Sequence, residues 1–148
     1  MNQNQQFTLL RELWMTDNRH RFPNVPEHCR ACPRFTDKTA NSLTRCIITF
    51  LRLHGHQAER VNTMGRPITA KSGRQIYIPT TGSKGSADIS AVIHGRAVKV
   101  EVKVGKDRQS GHQREYQRAI ECAGGVYVIA KTFDQFIQWF DTFNTNTP

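Results

Sequence analysis

Three residues on two neighbouring segments could do chemistry together: Asp88 at the start of "DISAVIH", and Glu101 and Lys103 within "AVKVEVKV". Successive side chains of a strand point to opposite faces. Val98, Val100, Val102 and Val104 therefore share one face of the second segment, and Lys99, Glu101 and Lys103 share the other. A tight turn at His94-Gly95 or at Gly95-Arg96 would pair the two segments as a hairpin. The first turn sets Asp88 opposite Glu101 and the second sets it opposite Lys103. In both registers the three residues lie on one face, with opposite side chains about 5 Å apart at Cβ. Two carboxylates that close repel unless a positive group lies between them. Mg²⁺ suits the place, because it binds a few carboxylate oxygens and keeps water and substrate phosphate as its remaining ligands. Such an ion stabilises a phosphodiester under attack and acidifies bound water. A lysine alongside would orient or help deprotonate that water, or stabilise pentavalent phosphorus. The competing expectation is a solvated Glu-x-Lys strand face with no chemistry.

The surrounding pattern supplies elements to position these residues. "TANSLTRCIITFLRLHG" predicts a helix: Leu43, Ile47, Phe50, Leu51 and His54 follow helical spacing, Thr39 or Asn41 can cap it, and Gly55 ends it. "HQAERVN" reads as a short strand, and residues 65–87 as a long loop or irregular hairpin with four Lys or Arg and no acid. After the hairpin, "SGHQREYQRAIECAGG" predicts a helix with Ser110 as N-cap and Gly124 or Gly125 as terminator. "VYVIA" predicts a buried strand. "TFDQFIQWFDTF" predicts a last helix, with Thr132 and Gln135 at capping-box spacing and an apolar stripe of Phe133, Phe136, Ile137 and Phe140. The expected fold class is α/β, a mixed central β-sheet flanked by helices.

Gly85-Ser86-Ala87-Asp88, then Glu101-Val102-Lys103 on the following strand, then Gln113 in the next helix resemble the PD-(D/E)XK nuclease superfamily, and most of all its VRR-NUC branch. The stop "CAGG" and the apolar strand "VYVIA" follow in the order of that branch, and the resemblance spans roughly residues 39–141. It implies a restriction-endonuclease-like core and a metal-dependent endonuclease acting on phosphodiester bonds of duplex or branched DNA. By this resemblance Asp88 and Glu101 are ligands of Mg²⁺ or Mn²⁺, the Val102 carbonyl adds a third oxygen, Lys103 is the catalytic lysine, and Gln113 contacts DNA or positions the water. Gln113, Tyr116, Gln117 and Ile120 fall on one face of their helix, so Gln113 can approach the sheet. The resemblance also implies a homodimer. Family members often carry a glutamate in the first helix, but residues 39–54 contain no acid. Asn41 stands near that place as a weaker ligand, with Glu59 the alternative, and Ala87 replaces the usual proline before the aspartate.

The chain has 148 residues, with 21 Lys and Arg against 12 Asp and Glu, a net charge of +9. One domain carrying that charge is expected to meet a polyanion, and nucleic acid ranks ahead of a membrane surface. Arg66, Lys71, Arg74 and Lys84 are the main candidates for the nucleic-acid backbone, joined by Lys106, Arg108 and Tyr116, with Tyr77 able to stack on a base. Residues 1–38 read as an irregular basic arm, with a short helix at "LLRELWM", ahead of a nuclease-like domain over 39–148. No apolar run reaches membrane-span length and "MNQNQQFTLLREL" lacks a signal-peptide core, so a cytoplasmic protein with reduced thiols is expected. Cys29 and Cys32 form a Cys-x-x-Cys without a second ligand pair; Cys46 and Cys122 are expected in the core. Two readings compete with the nuclease: a catalytically inactive nuclease-fold module that binds nucleic acid, and a zinc-stabilised structural protein built on Cys29 and Cys32.

Overall fold

A computed structural model describes residues 3–62, 66–78 and 82–145. Its centre is a four-stranded sheet in the order β1 (Gln57–Arg60), β4 (Ile89–Ile93), β5 (Arg96–Val102), β6 (Val126–Ala130). The first three strands are antiparallel neighbours, and β6 runs parallel to β5. The connection between those parallel strands contains helix α3 (Gly111–Cys122), as a parallel crossover requires. Helices α1 (Gln3–Arg21), α2 (Ala40–Leu53) and α4 (Phe133–Thr145), with a separate two-stranded ribbon of β2 (Arg66–Thr69) and β3 (Gln75–Ile78), complete the architecture. The fold is thus α/β, with a mixed sheet flanked by helices. Among the described residues no helix is long and apolar enough to cross a membrane.

The core lies on one side of the sheet. Ile89, Ala91, Ile93, Val98, Val100 and Val102 meet Leu43, Ile47, Phe50 and Leu51 of α2 and Phe133, Phe136, Phe140 and Phe143 of α4 in a single buried cluster. Phe50 sits edge-on to three of those phenylalanines, at 5.0–6.2 Å between ring centroids. Each buried phenylalanine contributes about 1.5–3 kcal/mol by leaving water. Thr39 is the N-cap of α2: its hydroxyl accepts from Ser42 N–H and the Ser42 hydroxyl accepts from Thr39 N–H, a reciprocal box. Gly55, at φ +79°, follows the helix end.

The N-terminal arm differs from the expectation. Instead of a short helix in an irregular segment, α1 runs for 19 residues. Residues 3–21 contain neither Pro nor Gly, and the first proline is Pro23. Tertiary docking then holds the whole length: Leu10 is buried and Phe7 stacks on Phe133 at 5.4 Å. Beyond α1 the chain is irregular apart from one short turn at Glu27–Cys29, but it is pinned. Arg30 bonds the Asn18, Phe22 and Val25 carbonyls, and Asp37 accepts from Phe133 N–H at the start of α4.

Three local expectations are refined. His94 and Gly95, at φ +49° and +74°, form the hairpin turn, which leaves Ile93 opposite Arg96 and selects the register with Asp88 facing Glu101. Gly124, at φ +82°, rather than Gly125, makes the turn after α3. Thr132 caps the Gln135 N–H, but the Gln135 side chain accepts from Lys131 N–H, one residue before the expected box partner.

The cysteines divide. Cys46 is buried, with its thiol pushed up to about 11 by burial. Cys122, expected in the core, is exposed. The reason is that α3 lays a polar stripe on a polar sheet face and buries no residue completely.

Candidate active site

The opposite face of the sheet carries the residues singled out for chemistry. It is not a solvated face at Glu101, whose residue is 1 % exposed, or at Lys103, which is 7 % exposed. Burying a carboxylate is costly unless every oxygen is engaged. Here Glu101 Oε1 accepts from Gln113 Nε2 at 2.5 Å and from Lys103 Nζ at 3.0 Å, and Oε2 accepts from the Tyr127 hydroxyl at 3.3 Å. Lys103 Nζ also reaches Asp107 Oδ2 at 3.3 Å.

Local rules set each member. Gln113 occupies the third position of α3, and its backbone N–H donates to the Ser110 hydroxyl. Its side-chain oxygen accepts from Ser110 N–H at 2.9 Å, which leaves its NH₂ to face Glu101. One capping box thus both starts the helix and orients the amide. Gln113, Tyr116, Gln117 and Ile120 are all partly buried, as their shared helix face predicts.

Asp88 ends the polar face. Its Oδ2 accepts from Val102 N–H at 2.8 Å, and its carbonyl accepts from Val61 N–H at 2.8 Å. The N–H and C=O of one strand residue point to the same edge, so the Val102 carbonyl lies on the edge that Asp88 flanks. Gly85 sets the approach to Asp88. It has φ +77°, and a Cβ there would fall 2.3 Å from the His112 carbonyl oxygen and 2.7 Å from Gln113 N. The strand that delivers Asp88 and the helix that delivers Gln113 are therefore held against each other through a residue without a side chain.

The electrostatics follow from this crowding. Burial pushes the Glu101 carboxyl above its ordinary range and the charge of Asp88 adds to that, more than offsetting the hydrogen bonds of Lys103 and Tyr127. Burial opposes the Lys103 charge, but Glu101 and Asp107 together raise its affinity for the proton, so it is an ammonium at neutral pH. Burial likewise pushes the Tyr127 hydroxyl up, which makes it a hydrogen-bond donor.

Two carboxylates and a strand-edge carbonyl are an all-oxygen set of the kind Mg²⁺ or Mn²⁺ accepts with water completing the shell. Among the described residues no three His, Cys, Asp or Glu side chains cluster closely enough to hold a metal by themselves. Asn41, the expected substitute for a first-helix acid, has its amide oxygen 2.6 Å from Arg60 Nη2, so a guanidinium rather than a carboxylate stands there. Glu59 is exposed on β1, opposite Ser90. Cys29 is exposed and Cys32 half-buried, with no third metal ligand gathered beside them among the described residues.

The expected nucleic-acid contacts separate into two groups. Lys71, Arg74 and Lys84 are exposed, as are Lys106 and Arg108 in the loop after β5; the Arg66 side chain lies outside what is described. Tyr77 on β3 is 65 % exposed. The Val61–Asp88 hydrogen bond brings the two ends of residues 62–87 together, so the β2–β3 ribbon springs from the edge where Asp88 sits. Tyr116 differs: it turns toward the sheet, edge-on to Tyr127 at 6.4 Å, because it shares the inward face with Gln113. The sequence reading missed Tyr127 and Asp107. A tyrosine inside the apolar "VYVIA", and an acid four residues after Lys103, were the available signals. A groove of about 530 Å³ between α1, α2 and α4, lined by Leu9, Leu13, Phe50 and Phe140, belongs to the other side of the sheet.

No model of a known protein family matches the chain, and no curated protein matches it.

Proposed function

We propose that the chain is a metal-dependent nuclease that hydrolyses phosphodiester bonds of DNA at the Asp88–Glu101–Lys103 face, within a restriction-endonuclease-like core. The observation that carries this reading is Glu101: a strand glutamate 1 % exposed, paired with Lys103 and set across from Asp88. A fold gains nothing from keeping such a group charged, and groups of this kind concentrate where chemistry needs them. The Gly85–Asp88 segment, the Glu-x-Lys strand, the Gln113 helix and the apolar strand β6 also follow one another as the VRR-NUC resemblance requires.

In this reading Asp88, Glu101 and the Val102 carbonyl hold one Mg²⁺ or Mn²⁺, which when bound supplies an acidified water and charge neutralisation at phosphorus. Hydrolysis adds the water oxygen to phosphorus and breaks one P–O ester bond, the attacking water giving up a proton to solvent and the leaving oxygen taking one up from it. Lys103, an ammonium, donates to a non-bridging phosphate oxygen rather than taking the water proton. Gln113 is a positioning residue that fixes Oε1 of Glu101. Gln113→Ala is expected to weaken metal binding about 10- to 100-fold, the scale for losing an outer partner of a ligand. It also removes half a capping box, costing about 1 kcal/mol. Mn²⁺ calorimetry and chemical denaturation read the two effects separately.

The Glu101 proton competes with the metal. Because the native carboxyl titrates above its ordinary value, Mn²⁺ affinity should climb with pH through that raised range. Stability runs the other way. Between the unfolded and native values the folded state binds the extra proton, so Glu101 makes stability fall as pH rises through the window. Asp88→Asn removes the neighbouring charge and should move both transitions to lower pH, as followed by calorimetry and by thermal melts from pH 4 to 8. A flat metal affinity across that range contradicts the assignment of Glu101 as ligand.

One observation favours a second reading, a nucleic-acid-binding module without catalysis. Arg60 holds Asn41 where family members often place an acid, and Asp88 already accepts the Val102 N–H. That reading predicts DNA binding with no cleavage under Mg²⁺ or Mn²⁺ and no Mn²⁺ binding heat.

A further inference from the structure

Lys99 is the lysine of the polar strand face that the proposed chemistry does not use. It stands one side-chain repeat, about 6.6 Å, along β5 from Glu101 and points to the same face. Lys103 is neutralised by Glu101 and Asp107. Lys99 is not: among the described residues no carboxylate lies within ion-pair distance of it, and its Nζ donates instead to the Ser90 hydroxyl at 2.6 Å. Ser90 is its cross-strand partner on β4, and Tyr127 flanks it on β6. Glu59 lies beyond Ser90 in the same row but makes no ion pair with it.

The pair is half-buried, yet its surroundings are open on one side. Helix α3 packs over β6 and reaches Glu101 of β5 through Gln113, whereas Val92, two residues along β4 from Ser90, is 45 % exposed. Among the described residues, the hydrogen-bond partner of this ammonium is a neutral hydroxyl. The arrangement also presents unused donors. The ammonium has two further N–H groups, and Ser90, accepting through its oxygen, keeps its O–H free to donate. Two donors from adjacent strands, beside a wall of Tyr127, suit a tetrahedral anion on the face that carries Glu101.

We infer that Lys99 and Ser90 form a phosphate subsite that grips the nucleic-acid backbone one step from the scissile phosphodiester. The inference rests on the proposed nuclease reading for its second phosphate, but its test does not depend on cleavage. Lys99 carries the charge, and Ser90 holds the ammonium in place and adds one hydrogen bond. Neither group touches the reacting atoms, so their contribution is to binding and register.

The test measures wild type, Lys99→Gln, Lys99→Arg and Ser90→Ala with a fluorescein-labelled duplex and a labelled single strand, in EDTA, over a salt series. Lys99→Gln is expected to weaken binding about 3- to 10-fold and to reduce the slope of log K against log salt by about 0.9, the release of one counterion. Lys99→Arg should keep the slope. Ser90→Ala should keep the slope and weaken binding about 2- to 10-fold, the scale of one net hydrogen bond. With Mg²⁺, Lys99→Gln should raise KM and leave kcat near wild type. Unchanged affinity and slope in Lys99→Gln, with wild-type melting, overturn the subsite. If the wild type cuts no DNA under any metal and Lys99→Gln still loses the slope, the subsite stands and the catalytic reading falls. If the wild type cuts and Lys99→Gln matches it in KM and slope, the subsite alone falls.

Discussion

Glu101→Gln is expected to abolish metal-dependent cleavage, by about a thousandfold or more, while raising thermal stability at pH 8. The loss is at least the scale seen when a group that stabilises transition-state charge is removed. The gain has a separate origin. The glutamine amide oxygen can keep accepting from Lys103 and Gln113, and its NH₂ can donate to the Tyr127 oxygen, so each of the three partners keeps one hydrogen bond to this side chain. What disappears is a charge that burial and Asp88 disfavour by more than Lys103 and Tyr127 favour it. The stabilisation should therefore fade as pH falls below the native Glu101 titration, where the wild type is itself protonated. Melting curves at pH 4.5 and 8 check the sign. A variant that melts well below wild type at pH 8 would mean that the Glu101–Lys103 pair holds the fold together more than it serves chemistry. Trading stability for an active group is expected at catalytic positions.

Gly85→Ala carries the second large effect. The left-handed φ alone costs about 1–2 kcal/mol for a residue with a Cβ. The added methyl also meets the His112 carbonyl and Gln113 N, main-chain atoms that cannot swing aside. Pushing α3 off the Gly85 segment adds about 1–3 kcal/mol. Gly124→Ala is the control: it has the same kind of φ, +82°, with nothing within 4 Å of the added carbon. It should cost about 1–2 kcal/mol by the conformational term alone. Denaturant unfolding of the two variants separates clash from conformation, and equal losses would show that the close approach is unimportant. Because the same contact sets Asp88 and Gln113, Gly85→Ala should also lower activity about 100-fold, the effect of roughly a 1 Å displacement of a reacting group.

Much of this arrangement was legible because it rests on short-range rules. The alternation in "AVKVEVKV" gave the two faces of β5, the spacing Leu43, Ile47, Phe50, Leu51 gave the buried stripe of α2, and Ser110 marked the start of α3. What was not legible depended on longer-range contacts. His94-Gly95 and Gly95-Arg96 are both acceptable turns, and only the left-handed conformation of His94 decides which residue faces Asp88. The length of α1 comes from docking Leu10 and Phe7 on the core, which a polar sequence such as "QNQQFTLL" does not announce. Cys122 resembled Cys46 in spacing, but the two helices meet opposite faces of the sheet. The engagement of Glu101 by Tyr127 joins residues 26 apart, and is set by the parallel register of β5 and β6.

The most direct test of the central claim is a cleavage time course on supercoiled plasmid, single-stranded DNA and a four-way junction. Wild type and Glu101→Gln are compared with Mg²⁺, Mn²⁺ or EDTA. The proposed site predicts cutting by wild type with either metal, none in EDTA, and none by Glu101→Gln despite its intact fold. Cutting by Glu101→Gln at the wild-type rate, or no cutting by wild type under any metal while DNA is still bound, would contradict it.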